Sequence, residues 1–301
     1  MWSGCGTALV TPFRADLSLD EAAMRRLVRR QVDAGINFLV PCGTTGENPT
    51  LDWEETLRVV EITLEEARGR VPVLAGCGGY NTAEIVSLAK ELEPLHVDGI
   101  LSVTPYYNKP TQEGLYRHYK AIAAAVSLPI VLYNVPRRTG VNIEPATLKR
   151  LAEIENIVGV KEASGDAGQI ATILGQATSD DFSVLSGDDA LALPTIALGG
   201  RGLISVASNE IPAEMTQLVQ LCLHGDFAAA RRLQRKYLPL MEVNFVESNP
   251  IPVKAAMAAM GLLEPVWRLP LCAPKAQNEE KIRSVLESLG LLEGRHVAGA
   301  N

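Results

Sequence analysis

Pro129-Ile130-Val131-Leu132-Tyr133 and Ile157-Val158-Gly159-Val160-Lys161 are two short apolar runs, each closed by a side chain capable of chemistry. Runs this short and this rich in β-branched residues read as strands covered on both faces. The same kind of run recurs at 5–10, 36–40, 71–75, 99–103, 183–186 and 203–206, giving eight strand candidates with helical segments between them. Those segments carry helix-start signals: Ser18 with Glu21, Asp52 with Glu55, and Asn81 with Glu84. Alternation of this kind calls for parallel strands joined by right-handed crossovers, and eight units close into a parallel (β/α)8 barrel. No G-x-G-x-x-G follows the first strand, which argues against a dinucleotide-binding sheet.

The strand signal ends near Gly225, and helical stretches follow at 226–243, 250–260 and 275–289. The expected organisation is a barrel over 1–224 carrying the active site and a small helical domain over 225–301. The second stretch opens at Asn249-Pro250-Ile251-Pro252-Val253-Lys254, where proline is tolerated because first-turn N–H groups have no partner within the helix. The tail from Gly294 reads as frayed.

The chain has 301 residues, enough for one barrel of roughly 250 residues plus an appendage. Hydrophobic residues make up 47% and charged residues 21%, a balance able to bury a large core and one that does not indicate disorder. A net charge of -7 without a dense basic block argues against nucleic acid. The nearest candidate, Arg25-Arg26 with Arg29-Arg30, has the spacing of a solvated helix face. The amino terminus shows no charged segment followed by an apolar one, and no apolar run reaches membrane-spanning length, so neither export nor membrane insertion is expected. Cys5, Cys42, Cys77, Cys222 and Cys272 form no C-x-x-C pair, so the expected compartment is a reducing cytoplasm. The histidines lack ligand spacing, and no metal is expected.

Catalytic groups of a barrel gather at the carboxyl ends of its strands. The second strand runs into Pro41-Cys42-Gly43-Thr44-Thr45-Gly46-Glu47, whose glycines let N–H groups and two hydroxyls converge on one anion such as a carboxylate; a structural turn is the alternative. Lys161 ends the sixth strand at a crowded, partly desolvated mouth that disfavours an ammonium. One reading is a salt bridge, with Glu162 as the partner; the other is a neutral amine able to attack a ketone and form an imine. Tyr133, on the adjacent strand, reads either as a packed ring or as a phenol that relays protons. Arg138 offers a planar fork for a carboxylate, or a surface ion pair. The loop Thr104-Pro105-Tyr106-Tyr107-Asn108-Lys109-Pro110 lies on the same face, where its tyrosines could be packing alone.

Gly43-Thr44-Thr45-Gly46-Glu47, Pro105-Tyr106-Tyr107-Asn108-Lys109-Pro110, Tyr133-Asn134-Val135-Pro136 with Arg138-Thr139-Gly140, Gly159-Val160-Lys161-Glu162 and Ser186-Gly187-Asp188-Asp189 together resemble the dihydrodipicolinate synthase family. The resemblance runs in order from about Gly4 to Leu292. It implies condensation of pyruvate with L-aspartate 4-semialdehyde to 4-hydroxy-tetrahydrodipicolinate, on the route to diaminopimelate and lysine, without a cofactor. It assigns Lys161 as the imine-forming amine and Thr44 and Thr45 as holders of the pyruvate carboxylate. Tyr133, Thr44 and Tyr107 become a proton relay, with Tyr107 supplied by the neighbouring subunit of a homotetramer built as a dimer of dimers. Gly187 and Ile204 would contribute main-chain groups near the lysine, and Arg138 would grip the semialdehyde carboxylate.

The resemblance also implies a lysine feedback site around Glu84, Tyr106, Tyr80 and Trp53. Asn48, Pro49, Trp53, Thr56 and Tyr80 depart from the best-known bacterial pattern there, so weak or altered inhibition is expected. Arg137 stands where the family often has glycine or serine, which adds bulk and charge at the entrance. Two rivals remain. One is another pyruvate-dependent enzyme of the wider superfamily, acting on N-acetylneuraminate, a 2-keto-3-deoxysugar acid or 4-hydroxy-2-oxoglutarate; Arg138 and the Tyr106-Tyr107 loop weigh against it. The other is a barrel that has lost catalysis and binds a ligand as a regulator.

Overall fold

Successive apolar, β-branched residues suit a strand sandwiched between two layers, and all eight runs fold that way. The computed structural model describes residues 1–176 and 181–292, so the expected fraying beyond Gly294 lies outside the described residues. The strands are β1 (Gly4–Ala8), β2 (Phe38–Val40), β3 (Leu74–Gly76), β4 (Gly99–Val103), β5 (Ile130–Asn134), β6 (Ile157–Glu162), β7 (Ser183–Ser186) and β8 (Gly202–Ser205). Their hydrogen-bonded order is β2-β1-β8-β7-β6-β5-β4-β3. A parallel bridge between Leu39 and Val73 joins the two outer members, so the sheet closes into the expected (β/α)8 barrel.

Around it run α1 (Glu21–Asp33), α2 (Trp53–Ala67), α3 (Thr82–Leu92), α4 (Gln112–Ala123), α5 (Pro136–Thr139), α6 (Pro145–Leu151), α7 (Ala167–Gln176), α8 (Ala192–Ala197) and α9 (Pro212–Leu223). Then come α10 (Phe227–Val243), α11 (Ile251–Ala259) and α12 (Ala276–Ser288), close to the three stretches read from sequence. The Asp52 and Glu55 capping box opens α2, and the Asn81 side chain caps α3. The start of α1 differs from the reading above. Asp20, not Ser18, accepts from the N–H of Ala23, while the Ser18 hydroxyl turns back to Asp16. The basic string on α1 is also only partly a solvated face. Arg25 and Arg29 pair with Glu66 of α2, but Arg30 turns inward and donates to the carbonyls of Asn209 and Glu210.

Strand periodicity divides the core into an inner and an outer layer. Phe38, Leu74, Leu101, Val131, Leu185 and Ile204 fill the barrel, whereas Leu39, Ile100, Ile130, Leu132 and Val160 face the helices. The floor is closed by Trp2 and Phe38, packed edge to face at 5.2 Å. A Cβ at position 6 would fall inside the Phe38 ring, so glycine there is what admits the aromatic plug. With the floor sealed by apolar groups, the opening lies at the opposite, carboxyl ends of the strands. No helix among the described residues is long and apolar enough to cross a membrane.

Candidate active site

Two parallel strands in register bring the two reactive strand ends together. Tyr133 of β5 pairs with Lys161 of β6, one step after Leu132 with Val160. Leu132 and Val160 face outward, so Tyr133 and Lys161 point into the barrel. The Lys161 Nζ lies 4.3 Å from the centre of the Tyr133 ring.

The next residues, Asn134 and Glu162, are also paired in register and therefore face outward. There the Glu162 carboxylate accepts from the Asn134 side chain at 2.9 Å and from the N–H of Ser164 at 2.8 Å. This overturns the reading of Glu162 as a salt-bridge partner for Lys161: consecutive strand residues lie on opposite faces. The Glu162 bonds instead lock the β5–β6 pair just behind the site. Among the described residues Lys161 makes no salt bridge.

Burial disfavours the ammonium and lowers the Lys161 pKa from its ordinary value to about 7; the buried Asp189 carboxylate opposes the shift and Arg138 adds to it. Asp189 itself is held by the Ser205 hydroxyl at 2.5 Å and by the N–H groups of Val206 and Ala207. Burial raises the Tyr133 phenol, while the Arg138 charge and a hydrogen bond with Thr44 pull it back down.

Above this pair opens a cavity of about 210 Å³, lined among others by Thr44, Tyr106, Tyr133 and Arg138. Thr44 opens the 3-10 turn Thr44–Gly46 that the glycine-rich string forms after β2. Thr45 is buried just behind, where its hydroxyl oxygen accepts from the Asn249 side chain at 2.9 Å. Arg138 is carried by α5, directly after β5, and donates to the Asn249 carbonyl at 3.0 Å. Gly187 follows β7; a Cβ there would come within 3.1 Å of the Lys161 Cε and 2.7 Å of the Ala163 Cβ, so the approach to the lysine needs glycine. Ile204 joins Tyr133 in the interior apolar cluster.

Of the other expected residues, Tyr106 also lines the cavity. Tyr107 projects outward, 89% exposed and at a φ of 67°. Tyr106 packs edge to face on Tyr80 at 5.2 Å, and the nearby Glu84 charge helps burial raise its phenol. The Trp53 indole N–H donates to Glu91 in the last turn of α3, the helix that carries Glu84. Arg137 is exposed beside the mouth.

Three residues carry roles that no local pattern marks: Asp189, Asn249 and Lys254. Asp189 ends the Ser186–Asp189 string, and Asn249 reads in sequence as a helix entry. Lys254 is fully buried and pairs with Glu47, at the end of the glycine-rich turn, at 2.5 Å. Among the described residues no cluster of His, Cys, Asp or Glu suits a metal ion.

A buried amine without a counter-ion, a phenol against it, hydroxyls on a glycine-rich turn and an arginine at the rim can convert a keto acid to an imine and hold a second anion beside it. Known proteins agree with that chemistry. The model of the dihydrodipicolinate synthetase family matches residues 1–289. A 4-hydroxy-tetrahydrodipicolinate synthase of Koribacter versatilis is 55% identical over 98% of each chain. The solved dihydrodipicolinate synthase of Thermotoga maritima superposes with a TM-score of 0.95 at 46% identity, over 97% of this chain and all of that one. The chloride-inhibited dihydrodipicolinate synthase of Acinetobacter baumannii, solved in complex with pyruvate, gives 0.95 at 43% identity over 97% of this chain and 100% of its own.

Proposed function

The chain belongs to the dihydrodipicolinate synthetase family, and from that premise we propose that the cavity over Tyr133 and Lys161 is where pyruvate becomes a lysine-bound nucleophile. The activity is that of a 4-hydroxy-tetrahydrodipicolinate synthase, a lyase-type enzyme of lysine and diaminopimelate biosynthesis that condenses pyruvate with L-aspartate 4-semialdehyde. The observation that carries the site is the burial of Lys161 without a salt-bridge partner, which brings its pKa to about 7 and leaves roughly half of the amine neutral at that pH.

The neutral Lys161 nitrogen attacks C2 of pyruvate and gives a carbinolamine. Tyr133, hydrogen-bonded to Thr44, supplies a proton to the departing hydroxyl, and water leaves. The resulting iminium withdraws electrons, a methyl proton is lost, and the enamine carbon adds to the aldehyde of the second substrate. The amino group of that substrate then displaces Lys161 and closes the ring. Thr44 and Thr45 hold the pyruvate carboxylate on the glycine-rich turn, with main-chain groups of Gly187 and Ile204 beside the lysine. Arg138, at the rim, receives the semialdehyde carboxylate, for which its planar fork is suited.

In this reading Tyr107 completes the relay of a second copy in a homotetramer; its exposure and outward set support a role beyond its own mouth. The helices α10, α11 and α12 form the helical unit, which meets the glycine-rich turn through Lys254 and Glu47, and the compartment is the cytoplasm. A lysine site forms around Tyr80, Glu84, Tyr106 and Trp53, and the departures at Asn48, Pro49, Trp53, Thr56 and Tyr80 make weak feedback inhibition the expectation. A substrate panel tests the function: the semialdehyde should be turned over with pyruvate far faster than N-acetylneuraminate is cleaved. The reverse order would move the chain to a sugar-acid lyase.

A further inference from the structure

The Thr45 hydroxyl has one hydrogen to give and two lone pairs to receive with. One lone pair takes the Asn249 Nδ2 hydrogen at 2.9 Å, and no acceptor for the Thr45 hydrogen is present among the described residues. Thr45 is only 3% exposed, so water is a poor alternative partner, and a buried donor left unused is costly. The unused hydrogen therefore belongs to something that enters the site. Asn249 is itself buried: its main-chain carbonyl accepts from Arg138, while its side-chain oxygen has no hydrogen-bond partner among the described residues. Five residues on, Lys254 fastens α11 to Glu47 of the same turn, and the Arg268 N–H reaches that carboxylate as well.

We propose that Asn249 is a positioning residue for pyruvate: by donating to the Thr45 oxygen, it obliges the Thr45 hydroxyl to present its hydrogen to the substrate carboxylate. A residue of the C-terminal helical segment thus sets the polarity of the anion-binding turn. The inference rests on the reading of the mouth as the pyruvate site. Asn249→Asp keeps the shape and reverses the bond, since a carboxylate accepts the Thr45 hydrogen and adds negative charge near the substrate anion.

The test is borohydride trapping of the Lys161–pyruvate imine as a function of pyruvate concentration, read by peptide mass spectrometry. For Asn249→Asp the half-saturating pyruvate should rise by about tenfold or more, the worth of one charge-assisted hydrogen bond. Its plateau of labelling should match that of the unsubstituted protein, a result that damaged folding would not give. Asn249→Ala should show a smaller rise, and in a Thr45→Val background it should add less than about twofold, since the two residues act through one bond. Half-saturation of Asn249→Asp within twofold of the parent, a lowered plateau, or an undiminished Asn249→Ala effect without the Thr45 hydroxyl overturns the role of Asn249. Absence of trapping in the unsubstituted protein overturns the imine reading itself.

Discussion

Among the described residues two lysines are buried, and each lies over an aromatic ring: Lys161 4.3 Å from Tyr133 at the barrel mouth, Lys254 4.5 Å from Phe13 where α11 meets the glycine-rich turn. Burial pushes both ammonium groups towards neutrality. The difference is the counter-charge. Glu47 contacts Lys254 at 2.5 Å and opposes the shift, whereas Lys161 has only the Asp189 carboxylate, which acts on it without a salt bridge and is already committed to Ser205, Val206 and Ala207. Burial alone therefore does not make a nucleophile. A partnered buried lysine is a fastener, and an unpartnered one is available for attack on a carbonyl.

Methionine at each position breaks the comparison most sharply. Lys161→Met should lower turnover by roughly 10⁴-fold or more, because the covalent route disappears. The same change should leave the melting temperature unchanged or higher, because it removes an unpaired buried charge. Lys254→Met should do the opposite. It strands Glu47 in the interior and should cost about 3–5 kcal/mol in denaturant unfolding. Equal destabilisation by the two changes would erase the distinction drawn between them. Tyr133→Phe should come next, reducing kcat by about 10²–10⁴-fold with pyruvate affinity less affected, as expected of a proton relay.

The smallest effects concern pH. Only the neutral amine attacks, so the rate of imine formation should rise with pH through about 7 and level off above it. Asp189 favours the ammonium, so Asp189→Asn should move the profile to lower pH; Arg138 disfavours it, so Arg138→Gln should move the profile to higher pH. Stability follows the same sign. Between about 7 and the ordinary value of 10.5 the unfolded chain binds more protons at this lysine than the folded one. The Lys161 contribution to stability therefore rises with pH across that window, and the penalty is fully present below it. Lys161→Met should flatten this dependence.

Much of this was legible in the chain. Each strand announces itself by a short β-branched run, and the period of two puts Glu162 on the face opposite Lys161, whereas the shared face of Tyr133 and Lys161 depends on the β5–β6 register. Alternation along the strand already rules out a salt bridge between Lys161 and Glu162. The cap of α1 was ambiguous because Ser18 and Asp20 both fit the local spacing; the chain reversal that joins Ser18 to Asp16 decided it. The grip of Asn249 on Thr45 and of Lys254 on Glu47 joins positions 204 and 207 residues apart, which no local pattern encodes. Asp189 was hidden for a similar reason, since its partners come from β8 and the turn that follows.

The central claim is that Lys161, and not Lys254, is the amine that becomes covalent. Incubation with pyruvate and borohydride followed by peptide mapping tests it directly: the account predicts one stable adduct, on the peptide containing Lys161, lost in Lys161→Met. An adduct on Lys254 or another lysine, or none at all, would contradict it.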